Sequence, residues 1–187
     1  ATIEGGLSKD TPALTLNRLC GSGLQAIVTA AQTIMLGDAD VAVGGGAEVM
    51  SRGPFILPTA RWGQRMGDGQ LLDMMTGALH DPFGRIHMGV TAENVAKQWQ
   101  ISREDQDALA VESHRRAAHA VKSGYFRDQI LDVELKSRKG PVVFNADEHF
   151  RADATLEDMA KLKPVFQREN GTVTAGIALS WNASAWA

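Results

Sequence analysis

The sequence predicts an α/β fold: a βαβ core segment followed by a long inserted α/β lid. Three observations point there. Apolar residues recur at helical spacing between 24 and 35, with short extended segments on either side. After Glu48 the chain enters a Gly- and Pro-rich excursion, of the kind that is usually functional. Further helical and strand-like stretches follow before a glycine-bounded return at 171–176. The expected organisation is residues 1–48 as core carrying the reactive residue, 49–170 as lid, and 171–187 as the start of a return to the core.

Thr11 to Arg18 reads as an extended approach. Leu24, Ile27, Val28, Ala31, Ile34 and Met35 predict a helix with one buried stripe, ended by Gly37. Val41 to Val43 is expected as a buried strand parallel to the approach, stopped by Gly44, Gly45 and Gly46. Phe55, Ile56, Leu57 and Trp62 lie among the prolines and glycines of 49–72, where exposed apolar groups often meet a partner subunit. Residues 88–99 are expected helical, with Met88, Ala92, Val95 and Trp99 on one side. Ser102 starts a second helix, with Leu109, Val111, Ala117, Ala118 and Val121 inward, His114 and His119 outward, and Gly124 at its end. Residues 130–135 alternate as a half-buried strand that 141–145 can pair with. Thr155 opens a short helix to Leu162, and Gly171 to Gly176 is a strand or a tight turn.

Composition narrows the function. The 187 residues are 44% hydrophobic and 22% charged, with a net charge of −3. No apolar run approaches the roughly 18 residues that cross a bilayer, so no membrane partner is expected. Acids and bases are interspersed, so no nucleic-acid partner is expected either. The one basic patch, Lys136, Arg138 and Lys139, is a solvated loop or a landing point for a phosphate. A single cysteine excludes an internal disulfide and fits a reducing compartment, the cytoplasm. The start, Ala1 to Gly6, has the character of neither a signal nor a transit peptide.

Cys20 is the candidate nucleophile. It stands between an extended segment and a helix, in Leu19-Cys20-Gly21-Ser22-Gly23. Helix N-terminal N–H groups and the macrodipole favour an anion such as a thiolate. The glycines let a flat substrate group approach and free backbone N–H groups for a developing oxyanion. The competing reading is a small buried apolar residue. No histidine pair has the spacing of a zinc site, so no metal is expected. The triple glycine lacks the G-x-G-x-x-G order of a dinucleotide loop.

Together these residues resemble the thiolase family, in its bacterial acetyl-CoA acetyltransferase and β-ketothiolase branch. Asn17 to Ala26 resembles the nucleophile motif, and Val43 to Arg52 the glycine-rich strand end that follows it. His87 to Lys97, Ser102 to Asp107 and Thr155 to Phe166 match the lid in order and spacing, and Thr172 to Gly176 matches the return to the core. The resemblance implies reversible acyl transfer between coenzyme A thioesters. Two acetyl-CoA give acetoacetyl-CoA and coenzyme A, or a 3-ketoacyl-CoA is cleaved. It implies that Cys20 carries the acyl group as a thioester and that its own backbone N–H helps hold the thioester oxygen. It places Leu79, His87 and Met88 along a pantetheine tunnel and Arg151 at the adenine and phosphate end of coenzyme A. Asp158, Met159, Leu162 and Phe166 fall along the same wall. It implies acetyl-CoA or another short-chain acyl-CoA as substrate, no resident cofactor, and a homotetramer formed through residues 54–72.

The sequence also departs from the family. The family's Gly-His-Pro histidine, its second cysteine near the C-terminus and its Asn-Glu-Ala-Phe segment do not occur in these 187 residues, nor do the first core strands before the nucleophile. Leu179 stands where relatives carry a serine that contacts coenzyme A, and Trp181 and Trp186 follow. The expectation is a fragment that lacks full turnover alone. The alternative is a non-catalytic remnant that binds coenzyme A or joins intact subunits. A hydrolase built on Cys20 or Ser22 is a third reading, and it needs a histidine beside Cys20.

Overall fold

The computed structural model describes residues 1–177, so the departures from Leu179 onward lie outside the described residues. Contacts divide the chain into two units, one covering Ala1–Ala78 and the other beginning at Leu79. The break in contacts thus falls later than the change in composition at Glu48, and the excursion belongs with the first unit.

In the first unit, α1 (Ser22–Met35) forms where the apolar spacing predicts it. It ends in a Schellman turn. Gly37, at φ +78°, donates to the Ile34 carbonyl, and the Asp38 N–H reaches back to Thr33. The predicted buried stripe is not buried. No residue of α1 is buried, and Leu24 is 70% exposed. The flanking segments form no strands, and Val41 and Val43 are 83% and 87% exposed. This corrects the expected parallel βαβ pair. A parallel strand needs a neighbour for its ladder and cover on both faces, and the described residues supply neither. The chain still packs on α1 at Gly44, where a Cβ would come within 2.9 Å of the Ala26 carbonyl oxygen and the Ile27 nitrogen. The excursion is closed by β1 (Phe55–Ile56) and β2 (Leu72–Asp73), antiparallel, with Phe55 opposite Asp73. Next, α2 (Met74–Ala78) is capped by Asp73, whose carboxylate accepts from the Met75 N–H and the Thr76 hydroxyl.

The second unit is built on α3 (Met88–Trp99), α4 (Arg103–Lys122) and α5 (Leu156–Ala160). A full capping box of Ser102 and Asp105 starts α4, and Gly124, at φ +75°, ends it in a second Schellman turn. Thr155 caps α5 by accepting from the Asp158 N–H. The strands β3 (Val133–Leu135) and β4 (Val142–Phe144) pair antiparallel as predicted, with Val133 opposite Phe144. Neither face of this hairpin is buried, which corrects the half-buried expectation.

The inward faces of the two long helices also differ from the apolar pattern. Glu93 and Ala96 are the buried residues of α3, while Val95 and Trp99 are exposed. Gln106, Asp107, Ala110 and His114 are buried on α4, while Leu109 and Val121 are exposed. His114, expected at the surface, is 4% exposed. The cause is a set of polar partners supplied by residues 151–174. Those residues form no strand; Val173 and Thr174 are buried against the helices, and Thr174 is fully so. Among the described residues, no helix is long and apolar enough to cross a membrane.

Candidate active site

Cys20 is exposed, one residue before Gly21, the N-cap of α1. It is not buried among the residues of this unit, none of which is. The bend that presents it is held by its neighbours. Leu19 has φ +50°, a left-handed conformation that costs a non-glycine residue about 1–2 kcal/mol. Asn17 Oδ1 accepts from the Leu19 N–H at 2.9 Å. Ser22 Oγ accepts from the Arg18 N–H at 2.8 Å and donates to the Leu19 carbonyl at 2.7 Å. The Arg18 guanidinium reaches Gln25 Oε1 at 2.9 Å. Ser22 is thereby a brace of the bend.

No side chain caps the N-terminus of α1; the Gly21 and Ser22 amides donate back to the Arg18 and Leu19 carbonyls at 3.1 Å, and the next two amides, of Gly23 and Leu24, have no side-chain acceptor. Space beside Gly23 is open: a Cβ there would meet nothing within 4 Å. An exposed thiol beside uncapped amides suits attack on a carbonyl and stabilisation of the oxygen that becomes negative.

In the second unit, Leu79, His87, Met88 and Phe166 come together. The Met88 N–H donates to the Leu79 carbonyl at 2.8 Å. His87 is the N-cap of α3, its Nδ1 accepting from the Gly89 N–H at 3.0 Å. Its ring stacks on Phe166 at 4.8 Å, with His80 edge-on at 5.3 Å. Phe166 lies directly over Gly89, leaving no room for a Cβ there. His87 is thus fixed in ring orientation, and its Nδ1 is occupied as an acceptor.

The remaining candidates have partners of their own. Met159 is buried, and with Leu162 it closes on Gly176, where a Cβ would clash with both side chains. Asp158 accepts from the Thr155 hydroxyl at 2.6 Å and from Lys161 Nζ at 3.3 Å. The Thr155 hydrogen bond, then Lys161, holds its carboxyl below the usual carboxylate range. Arg151 is exposed, and its backbone N–H donates to His114 Nδ1 at 3.1 Å.

The anchors that fix this region were missed in the sequence. Glu93 accepts from the Thr172 N–H, the Thr172 hydroxyl and the Val173 N–H, all between 2.9 and 3.0 Å. Arg103 pairs with Asp107 at 2.8 Å and donates through Nη2 to the Met159 and Leu162 carbonyls. Gln106 donates to Thr172 Oγ1 at 2.9 Å. The usable signal was a polar residue on each helix within reach of the glycine-bounded return. No group of His, Cys, Asp or Glu among the described residues could hold a metal ion.

Comparison with known proteins matches this geometry to a family. The model described as "Thiolase, N-terminal domain" matches residues 1–185. Beta-ketothiolase BktB of Cupriavidus necator is 67% identical over 185 residues, covering 99% of this chain and 47% of the relative. The crystal structure of the Bacillus anthracis acetyl-CoA acetyltransferase has a TM-score of 0.86 at 46% identity, over 93% of this chain and 44% of that one. Human mitochondrial 3-ketoacyl-CoA thiolase, solved in complex with CoA, has a TM-score of 0.84 at 42% identity, over 92% and 43%. The chain spans about half the length of the curated relatives it matches. It belongs to the thiolase family.

Proposed function

We propose that this chain carries the acyl-accepting nucleophile and the coenzyme A lid of an acetyl-CoA C-acetyltransferase. The observation that carries the reading is Cys20, exposed at the uncapped start of α1 on a braced left-handed bend. Its thiolate attacks the thioester carbonyl of an acyl-CoA. A new carbon–sulfur bond forms, the bond to the coenzyme's sulfur breaks, and coenzyme A leaves and takes up a proton. The amides of α1 that follow Ser22 stabilise the oxygen that becomes negative, and a helix N-terminus contributes about 0.3–1 kcal/mol to an anion. Covalent capture splits a difficult Claisen condensation into two easier steps.

The coenzyme is assigned to the second unit, with the Leu79, His87, Met88 and Phe166 stack against pantetheine and Arg151 at the phosphate-bearing end. Asp158, Met159 and Leu162 complete that wall. The relative solved in complex with CoA supports this reading. The second half-reaction calls for the family's Gly-His-Pro histidine and second cysteine, neither of which occurs in these 187 residues, and an acid or base group of that kind typically contributes about 10²–10⁴-fold. The exposed Phe55, Trp62 and Met66 support assembly with further copies into a tetramer through residues 54–72.

The test is labelling with radioactive acetyl-CoA. The expected result is hydroxylamine-sensitive label on Cys20, matched by released coenzyme A and lost in Cys20→Ser. Equal label in Cys20→Ser would sink the nucleophile assignment. Retention of coenzyme A with no label at all would instead favour a non-catalytic binding role.

A further inference from the structure

We propose that His114 is the positioning residue for Arg151: in its neutral form it clasps the Arg151 backbone to α4 and so presents the guanidinium to the phosphate-bearing end of coenzyme A. The assignment rests on the lid reading above. His114 is 4% exposed, in the middle of α4, and its Nδ1 accepts from the Arg151 N–H at 3.1 Å, across 37 residues of chain.

That bond fixes the protonation state. A ring nitrogen that accepts carries no proton, so the proton of the neutral ring sits on Nε2. An imidazolium has two N–H donors and no acceptor, so protonation removes the only group on His114 that can hold the Arg151 amide. Burial disfavours the charged ring, and the charged groups that bear on it, His149 and Arg151, disfavour it further. Local turns shape the rest of the segment: the His149 N–H donates to Asp147, and the Ala154 N–H to the Arg151 carbonyl. Neither of them ties Arg151 to a helix. Its side chain enters no ion pair among the described residues and is free to meet an anion from solvent.

The clasp is intact at neutral pH and opens as the pH falls through a value lowered beneath the ordinary imidazole value of 6.5. The reading concerns the nucleotide end of the ligand only. Pantetheine, which lacks that end, is therefore the internal control.

The experiment measures affinity of the full chain for coenzyme A and for pantetheine between about pH 8 and about pH 5. His114→Leu removes the acceptor. It is expected to weaken coenzyme A about tenfold at neutral pH, the effect of losing one buried hydrogen bond, with pantetheine unchanged. His114→Gln keeps an acceptor that does not titrate. It should preserve coenzyme A affinity and flatten the part of the acid limb that is not the coenzyme's own phosphate titration. Hydrogen exchange at the Arg151 amide of the unsubstituted chain gives a second readout that needs no variant to fold: protection is expected to fall on acidification. An unchanged coenzyme A to pantetheine ratio in His114→Leu, or Arg151 protection that ignores pH, overturns the assignment. If the unsubstituted chain binds neither ligand, the lid reading itself falls and this assignment with it, whereas pH-dependent Arg151 protection with an unchanged ratio overturns only this one.

Discussion

The two units of the chain are organised by opposite means. No described residue of 1–78 is buried, whereas the second unit holds all the buried residues among those described, several of them polar or charged. The bend at Cys20 is made by residues within seven positions of one another: Asn17 with Leu19, Ser22 with Arg18, Arg18 with Gln25. The second unit is held by Glu93, Arg103, Gln106 and His114 reaching partners far along the chain. An exposed cysteine at a helix start can therefore be set by local geometry alone. The second unit is set by distant, satisfied polar anchors, which are costly to disturb.

The largest expected effect is on those anchors. Glu93→Ala leaves two backbone N–H groups and a hydroxyl of residues 172–173 without their acceptor and should destabilise the second unit by about 4 kcal/mol. Urea unfolding resolved by hydrogen exchange measures it, and protection in α1 should not change; a matching loss there would break the contrast between the units. Arg103→Leu removes both donations to the Met159 and Leu162 carbonyls and strands Asp107. A loss of about 3 kcal/mol is expected by the same measurement.

A smaller effect comes from pH. The folded pKa of His114 is lowered, chiefly by burial, beneath its unfolded value of 6.5. Its contribution is thus fully present above that value and is lost as pH falls through the lowered one. Unfolding midpoints of the second unit should drop on acidification, and drop less in His114→Gln. In the first unit, Leu19→Gly relieves the left-handed strain and should leave stability unchanged or raise it by up to about 1 kcal/mol, read by exchange at Gly21 and Ser22. The smallest effect is on the solvated face of α4. Glu112 is held at about 2 by hydrogen bonds from Arg115 and then Arg116, all on the surface. Glu112→Gln should barely move the melting temperature, and added salt should remove even that difference.

Element existence and ends were legible in the residues. Gly37 and Gly124 took the positive φ that closes a Schellman turn, and Ser102 and Thr155 became caps, because capping needs only a side chain and the amides two or three positions on. The placement of Cys20 at a helix start was legible for the same reason. The inward faces of α3 and α4 were not. Apolar spacing pointed to Val95 and Trp99, and to Leu109 and Val121, but the structure buried Glu93, Gln106, Asp107 and His114. Periodicity weighs only hydrophobicity, and a carboxylate that collects three donors can be buried where a valine is not. The strands at 11–18 and 41–43 failed for the converse reason: their composition suited a sheet, but among the described residues no neighbour completes the ladder.

By itself, then, the sequence determined what short-range physics determines: helices, their caps, the hairpin of 133–144 and the bend that carries a lone thiol. Only the tertiary structure decided which faces turn inward, what fixes His87 against Phe166 and what holds Arg151. The partners in the Glu93 and Gln106 contacts lie 66 to 80 residues away. A hydrogen bond over that distance closes a long loop and leaves no mark in local spacing, so it is settled by folding and not by any window of the chain.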